Sequence, residues 1–137
     1  MKKLLLICLA AFAAASCTQE KQQSKPLYMW FDCEANYATL SHPDSIRYYV
    51  SKIHDMGFTD VVVDVKSIMG ETLYKSDIAP YMGEWDGVTR PENYDLLGYF
   101  IEEGHKLGMR VHGSLNVFAG GHNFFDRGII YGDHADW

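Results

Sequence analysis

Basic residues are scarce: 12 Lys and Arg stand against 18 Asp and Glu, a formal charge of −6 that becomes −8 when Lys2 and Lys3 are set aside. An acidic chain without a basic stripe excludes nucleic acid as its partner. Cysteine is scarce too. Cys8 falls in an N-terminal leader and Cys17 stands where a lipid is expected, which leaves Cys33 alone and excludes an intrachain disulfide. Cys33 itself reads as a small buried apolar residue of a strand, since reactivity rather than presence marks a catalytic thiol. Long apolar runs are missing except Leu4 to Ala15, and that run is too short to span a bilayer. No repeat of fixed period is visible. With 47% apolar and 14% aromatic residues, the chain is material for a folded core, not a disordered segment.

The leader has a recognisable order. Lys2 and Lys3 precede the apolar run, and Ala14-Ala15-Ser16-Cys17 follows it. A basic start, a short apolar centre and small residues before a cysteine have the form of a bacterial lipobox, so residues 1–16 are expected to be a signal peptide and Cys17 the lipidated residue. Residues 17–26, mostly polar, then form a tether. This predicts an exported lipoprotein, anchored by Cys17 to the outer membrane or the periplasmic face of the envelope.

From Leu27 onward the pattern alternates. Leu27–Cys33 reads as a strand, and Ile46, Tyr49, Val50, Ile53 and Met56 mark a helix face stopped by Gly57. Ser41 and Asp44 have capping-box spacing, with Pro43 in the first turn. Val61–Val65 is a β-branched run typical of a covered parallel strand. Lys66–Asn93 is long and punctuated by Gly70, Pro80, Gly83, Gly87 and Pro91, the composition of a functional loop. Asn93 is placed to cap a second helix, in which Leu96, Leu97, Phe100, Ile101 and Leu107 recur before Gly108. Met109–Phe118 then alternates as a third strand. The expected fold is α/β: the three N-terminal strands and two helices of a (β/α)8 TIM barrel, residues 27–137, incomplete because such a barrel needs about 250 residues.

Several segments also resemble a known family. Gly57-Phe58-Thr59-Asp60 with the following VVVDVK, the loop GETLYKSDIAP, the unit YDLLGYFIEEGHKLGMRVHGSLNVF and His134-Ala135-Asp136-Trp137 together resemble the N-terminal part of the glycoside hydrolase-like family 10 proteins. Lys66 stands where that family favours Arg, Gly104 replaces Ala, and Gly113-Ser114 replaces Ala-Trp. The resemblance implies a carbohydrate-active barrel whose principal acid and nucleophile lie on later strands.

Strand parity gathers polar groups at the carboxyl ends of the strands. Asp32 and Asp64 are candidates to support a carboxylate pair in O-glycosyl hydrolysis. Glu34, Lys66, Tyr74, Trp85, His112 and Asn116 are candidates for substrate binding, with Trp30 and Tyr81 as further rings for stacking. His122, Asp126, Asp133 and His134 match no metal-ligand spacing, so neither a metal nor a cofactor is expected. The expected function is that of a lipid-anchored glycoside hydrolase-like protein acting on polysaccharide. The alternatives are a non-catalytic carbohydrate-binding surface lipoprotein and a metal-dependent hydrolase or deacetylase.

Overall fold

A computed structural model of the chain describes residues 25–92, 94–133 and 136. The expected signal peptide, the lipidation at Cys17, most of the tether, Asn93 and His134 lie outside the described residues. In chain order the elements are β1 (Tyr28–Phe31), a 3-10 turn (Thr39–Ser41), α1 (Pro43–Asp55), β2 (Asp60–Asp64), β3 (Glu84–Trp85), β4 (Val88–Thr89), α2 (Leu96–Lys106), β5 (Arg110–Ser114) and α3 (Ile129–Asp133).

The main sheet is parallel and three-stranded, in the order β1-β2-β5. Register places Trp30 beside Val62, Val62 beside His112, and Asp64 beside Ser114. Because side chains alternate, one face carries Phe31, Val61 and Val63 toward the helices and the other carries Tyr28, Trp30 and His112 away from them. The first face is the core. Val61 and Val63 are fully buried, and Phe31 meets Phe100 of α2 edge to face at 4.9 Å. The second face is open: Tyr28 is 54% and Trp30 60% exposed.

Each long helix is fixed by its apolar spacing. In α1, Ile46, Val50 and Ile53 recur at i, i+4 and i+7 and are buried, while Tyr49 and Met56 face solvent. Pro43 opens the helix where its missing N–H costs nothing. The expected capping box is absent, because the N-cap is His42 and makes no side-chain cap bond. Ser41 is committed elsewhere, donating to the Tyr37 carbonyl at 2.6 Å and accepting from Arg90 Nε at 2.7 Å. In α2 the cap is Asp95, whose Oδ1 accepts from the Gly98 N–H at 3.0 Å. Leu96, Phe100 and Gly104 form its buried stripe. A Cβ on Gly104 would come within 2.7 Å of Val111 Cγ2, so glycine is what lets α2 lie close against β5.

The barrel expectation is overturned. The described chain holds three helices and two small sheets, the parallel one and an antiparallel β3–β4 hairpin. Barrel strands are covered outside by helices and inside by other strands; among the described residues only one face is covered here. The third strand also stops at Ser114, and the alternation read as far as Phe118 does not continue it, since Leu115, Val117 and Phe118 are 51%, 65% and 92% exposed. Lys66–Asn93 does not behave as a β/α connection either. It folds into bridges, Lys66 with Thr72 and Thr72 with Tyr81, and then the hairpin. Residues 120–131 return onto this segment through Gly121 N–H to Ile68 O and Ile129 N–H to Met69 O, both at 2.9 Å. No helix among the described residues is long and apolar enough to cross a membrane.

Candidate functional site

At the carboxyl ends of the parallel strands, the uncovered sheet face runs into a cleft of about 440 Å³. β1 delivers Trp30 on the strand and Asp32 just beyond it. β2 ends in Asp64 and leads to Lys66, and the chain after β5 brings Asn116. Trp85, from the β3–β4 hairpin, closes the side. Six of the residues singled out in the sequence, Asp32, Glu34, Asp64, Lys66, Trp85 and Asn116, thus meet in one cavity, together with Trp30.

Each carboxylate is held by one hydrogen bond. Asp64 Oδ2 accepts from Trp30 Nε1 at 3.0 Å, Asp32 Oδ1 from the Ala35 N–H at 2.9 Å, and Glu34 Oε2 from the Ile68 N–H at 2.9 Å. Among the described residues none of the three pairs with a cation at ion-pair distance. Each therefore has a fixed orientation and an acceptor oxygen to spare. Partial burial pushes the Glu34 carboxyl above its ordinary value, and the charges of Asp32 and Glu71 add to the rise against the lowering by the Ile68 N–H. Trp30 is pinned through its N–H while its ring remains exposed to solvent, an arrangement suited to stacking.

Lys66 has a different role from the one expected. Its ammonium donates to the carbonyls of Asn116, Val117 and Ala119 at 2.9, 3.0 and 2.6 Å. Three donors meet three acceptors, so the lysine ties down the loop that carries Asn116 and has no N–H left for a ligand. Lys66 and Asp64 form no ion pair, although two residues apart in the chain.

The other residues singled out in the sequence for substrate binding lie outside the cleft. His112 Nε2 is 2.7 Å from Asp60 Oδ1, toward the amino end of the same sheet face, and its ring packs beside Tyr28 at 5.7 Å. Asp60 is inaccessible to solvent and is gripped by Arg110 through Nε at 2.6 Å and Nη2 at 2.7 Å, and by the Thr59 hydroxyl at 2.6 Å. The Arg110 fork, ahead of the burial that opposes it, holds the Asp60 carboxyl well below the usual carboxylate range. The histidine expected beside Asn116 is therefore part of a structural ion cluster. Tyr74 packs against the core, with its carbonyl accepting from the Thr72 hydroxyl at 3.1 Å. Tyr81 is partly buried against the same core. His122, of the loose His/Asp group, is held by its own loop, its Nδ1 accepting from the Phe124 N–H at 3.1 Å.

Burial also settles Cys33: it is fully buried, and desolvation pushes its thiol up to about 12, so it is neutral and enclosed.

A second layer, not legible in the sequence, braces the cleft. Arg90, 3% exposed, donates to Ser41 Oγ and the Tyr37 carbonyl and stacks on the Tyr37 ring at 3.6 Å. Tyr37 in turn donates to the Met82 carbonyl at 2.8 Å. Trp85 packs edge to face with Phe125 at 5.0 Å, and Arg127 beside it is paired with Glu71 at 2.8 Å. The hairpin that presents Trp85 turns through Asp86 and Gly87, both at positive φ (51° and 76°), and Asp-Gly between Trp85 and Val88 was the available sequence signal for it.

No family model matches the chain. The chain is similar to an S-layer-related protein of Niallia circulans, 29% identical over 119 residues, an alignment that covers 82% of this chain and 7% of that protein. The chain thus spans a small fraction of the relative's length. The expected kinship with the glycoside hydrolase-like family 10 proteins is overturned by these two findings. The segments quoted for it, a β-branched strand, a glycine-stopped helix and a polar strand, answer to general α/β packing rules.

Proposed function

We propose that this chain is the carbohydrate-binding part of a cell-envelope protein, with the cleft between Trp30 and Trp85 as its sugar site. The observation that carries the reading is Trp30: a large aromatic ring, 60% exposed at the mouth of a cavity, with its N–H locked to Asp64. An aromatic face binds the apolar side of a pyranose, and carboxylates with free lone pairs accept from its hydroxyls. The cell-envelope location is supported by the similarity to the S-layer-related protein. The finer location, an exported lipoprotein held at the outer membrane or the periplasmic face through Cys17, rests on Ala14-Ala15-Ser16-Cys17. Radiolabelled palmitate incorporated into the wild type and lost in Cys17→Ser is the expected result, and equal labelling of both sinks that part.

The test of the sugar site is a titration with neutral oligosaccharides followed by intrinsic tryptophan fluorescence. Trp30→Ala is expected to weaken binding at least about tenfold, the loss of one stacking partner. Unchanged affinity in a folded Trp30→Ala protein rejects the site. A second reading, O-glycosyl hydrolysis, is favoured by Glu34, whose raised carboxyl beside Asp32 has the character of a general acid. Release of reducing ends by the wild type and its abolition in Glu34→Gln support that reading; binding without turnover leaves the chain a binding module.

A further inference from the structure

The sugar cleft does not end at Trp85. A second cavity of about 450 Å³ lies on its other side, lined by Tyr37, Ala38, Val88 and Phe125. Glu34, Ala35 and Trp85 line both cavities, so the two are lobes of one groove. Each lobe alone falls within the volume range of a small-ligand pocket. One pyranose ring therefore leaves at least one lobe empty.

The charge of the groove is one-sided. Asp32, Glu34 and Asp64 line the first lobe and Asp86 the second. The nearby cations are committed or screened: Lys66 to three backbone carbonyls, Arg127 to Glu71 at 2.8 Å and Glu84 at 3.5 Å, and Arg90, buried behind the Tyr37 ring, to Ser41 and the Tyr37 carbonyl. Among the described residues, the charged side chains that line the second lobe and the carboxylates of the first would repel a glycan carrying carboxylate, sulfate or phosphate.

We propose that the groove takes a linear, non-anionic glycan of two or more rings that passes over Trp85, with one ring against Trp30 and the next against the Tyr37–Phe125 wall. This rests on the carbohydrate-binding reading above and specifies the class of its ligand. Rings on either side of Trp85 are tethered to one another, so the second binds at high effective concentration once the first is seated.

The full chain is titrated with glucose and N-acetylglucosamine as single rings, with their neutral β-1,4-linked dimers and tetramers, and with trigalacturonate as the carboxylated counterpart. The expected result is a rise in affinity of at least about tenfold from one ring to the longer neutral chains, with trigalacturonate at least about tenfold weaker than the neutral tetramer at low salt. Ala38→Trp, which fills the second lobe from an exposed position, is expected to bring the tetramer-to-monomer affinity ratio close to one. Equal affinity for one ring and four, equal affinity for trigalacturonate, or an Ala38→Trp protein that keeps the ratio overturns the two-lobe proposal while leaving the Trp30 site standing. Failure of every saccharide to bind overturns both.

Discussion

Asp60 shows how one residue sets the chemistry of its surroundings. It is solvent-inaccessible, yet the side chains that cover it, Arg110 and His112, are 56% and 43% exposed, so the burial is shallow and completed by its own partners. Its folded-state pKa is depressed, so the unfolded chain takes up the proton first as pH falls. The stability it contributes is present in full above the unfolded carboxylate value, about 4, and is lost as pH drops below that toward the folded value. Asp60→Asn is expected to cost about 2 kcal/mol at pH 7, the loss of charged hydrogen bonds, and to flatten the acid limb of a stability-against-pH curve measured by urea denaturation. An acid limb as steep as the wild type's would show that other carboxylates set it. Lys66 is the second instructive residue. Lys66→Met removes the ammonium from three carbonyls, and faster hydrogen exchange confined to residues 115–121, with a loss of about 1 kcal/mol, is the expected outcome. Exchange unchanged in that loop would mean the lysine is not its anchor. Neither role was visible beforehand, because both depend on partners 50 or more residues away in the chain.

At the scale of elements, the two long helices and three parallel strands fall close to where periodicity put them, with β1 and β5 shorter than their apolar runs and β2 shifted by one residue. Helix packing is carried by few residues. Phe100 is fully buried and touches Phe31 on the covered face of the sheet, so Phe100→Ala is expected to cost about 3–5 kcal/mol in thermal or chemical denaturation. Gly104→Val should cost about 1–3 kcal/mol through overpacking against Val111. The β3–β4 hairpin tests the link from element to site. Gly87 has open space around it but φ of +76°, so Gly87→Ala pays only for conformation, about 1 kcal/mol. A lower glycan affinity in that variant, with the main sheet intact by circular dichroism, is expected if the hairpin's purpose is to aim Trp85. The misread elements share a cause. Ser41–Asp44 has the letters of a capping box, but Ser41 is drawn to Arg90, and no local pattern reports a competitor 49 residues on.

For the whole molecule, the decisive feature is a sheet covered on one side. Val61, Val63 and Phe31 share one core with the buried residues of both long helices, leaving the opposite face to carry the Asp60 cluster at one end and the cleft at the other. Enclosure of the core can be followed through Cys33. In a protein with Cys8 and Cys17 replaced by serine, labelling of Cys33 by a thiol reagent is expected to track global unfolding, with protection lost at the denaturation midpoint. Rapid labelling under native conditions would contradict a sealed core.

The sequence by itself determined the acidic balance, the lone core cysteine, the buried positions Ile46, Val50 and Ile53 of α1 and Leu96 and Phe100 of α2, and the nomination of six residues that meet in one cleft, because each follows from composition or from periods of 2 and 3.6 residues. Only the tertiary structure decided that the parallel strands form an open three-stranded sheet and not a barrel wall, that His112 serves Asp60 while Asn116 faces the cleft, and that Lys66 is used up on carbonyls. Those outcomes turn on which groups distant in the chain compete for the same donors and acceptors. A local pattern can nominate such groups, but the partner that wins is settled by the packed geometry.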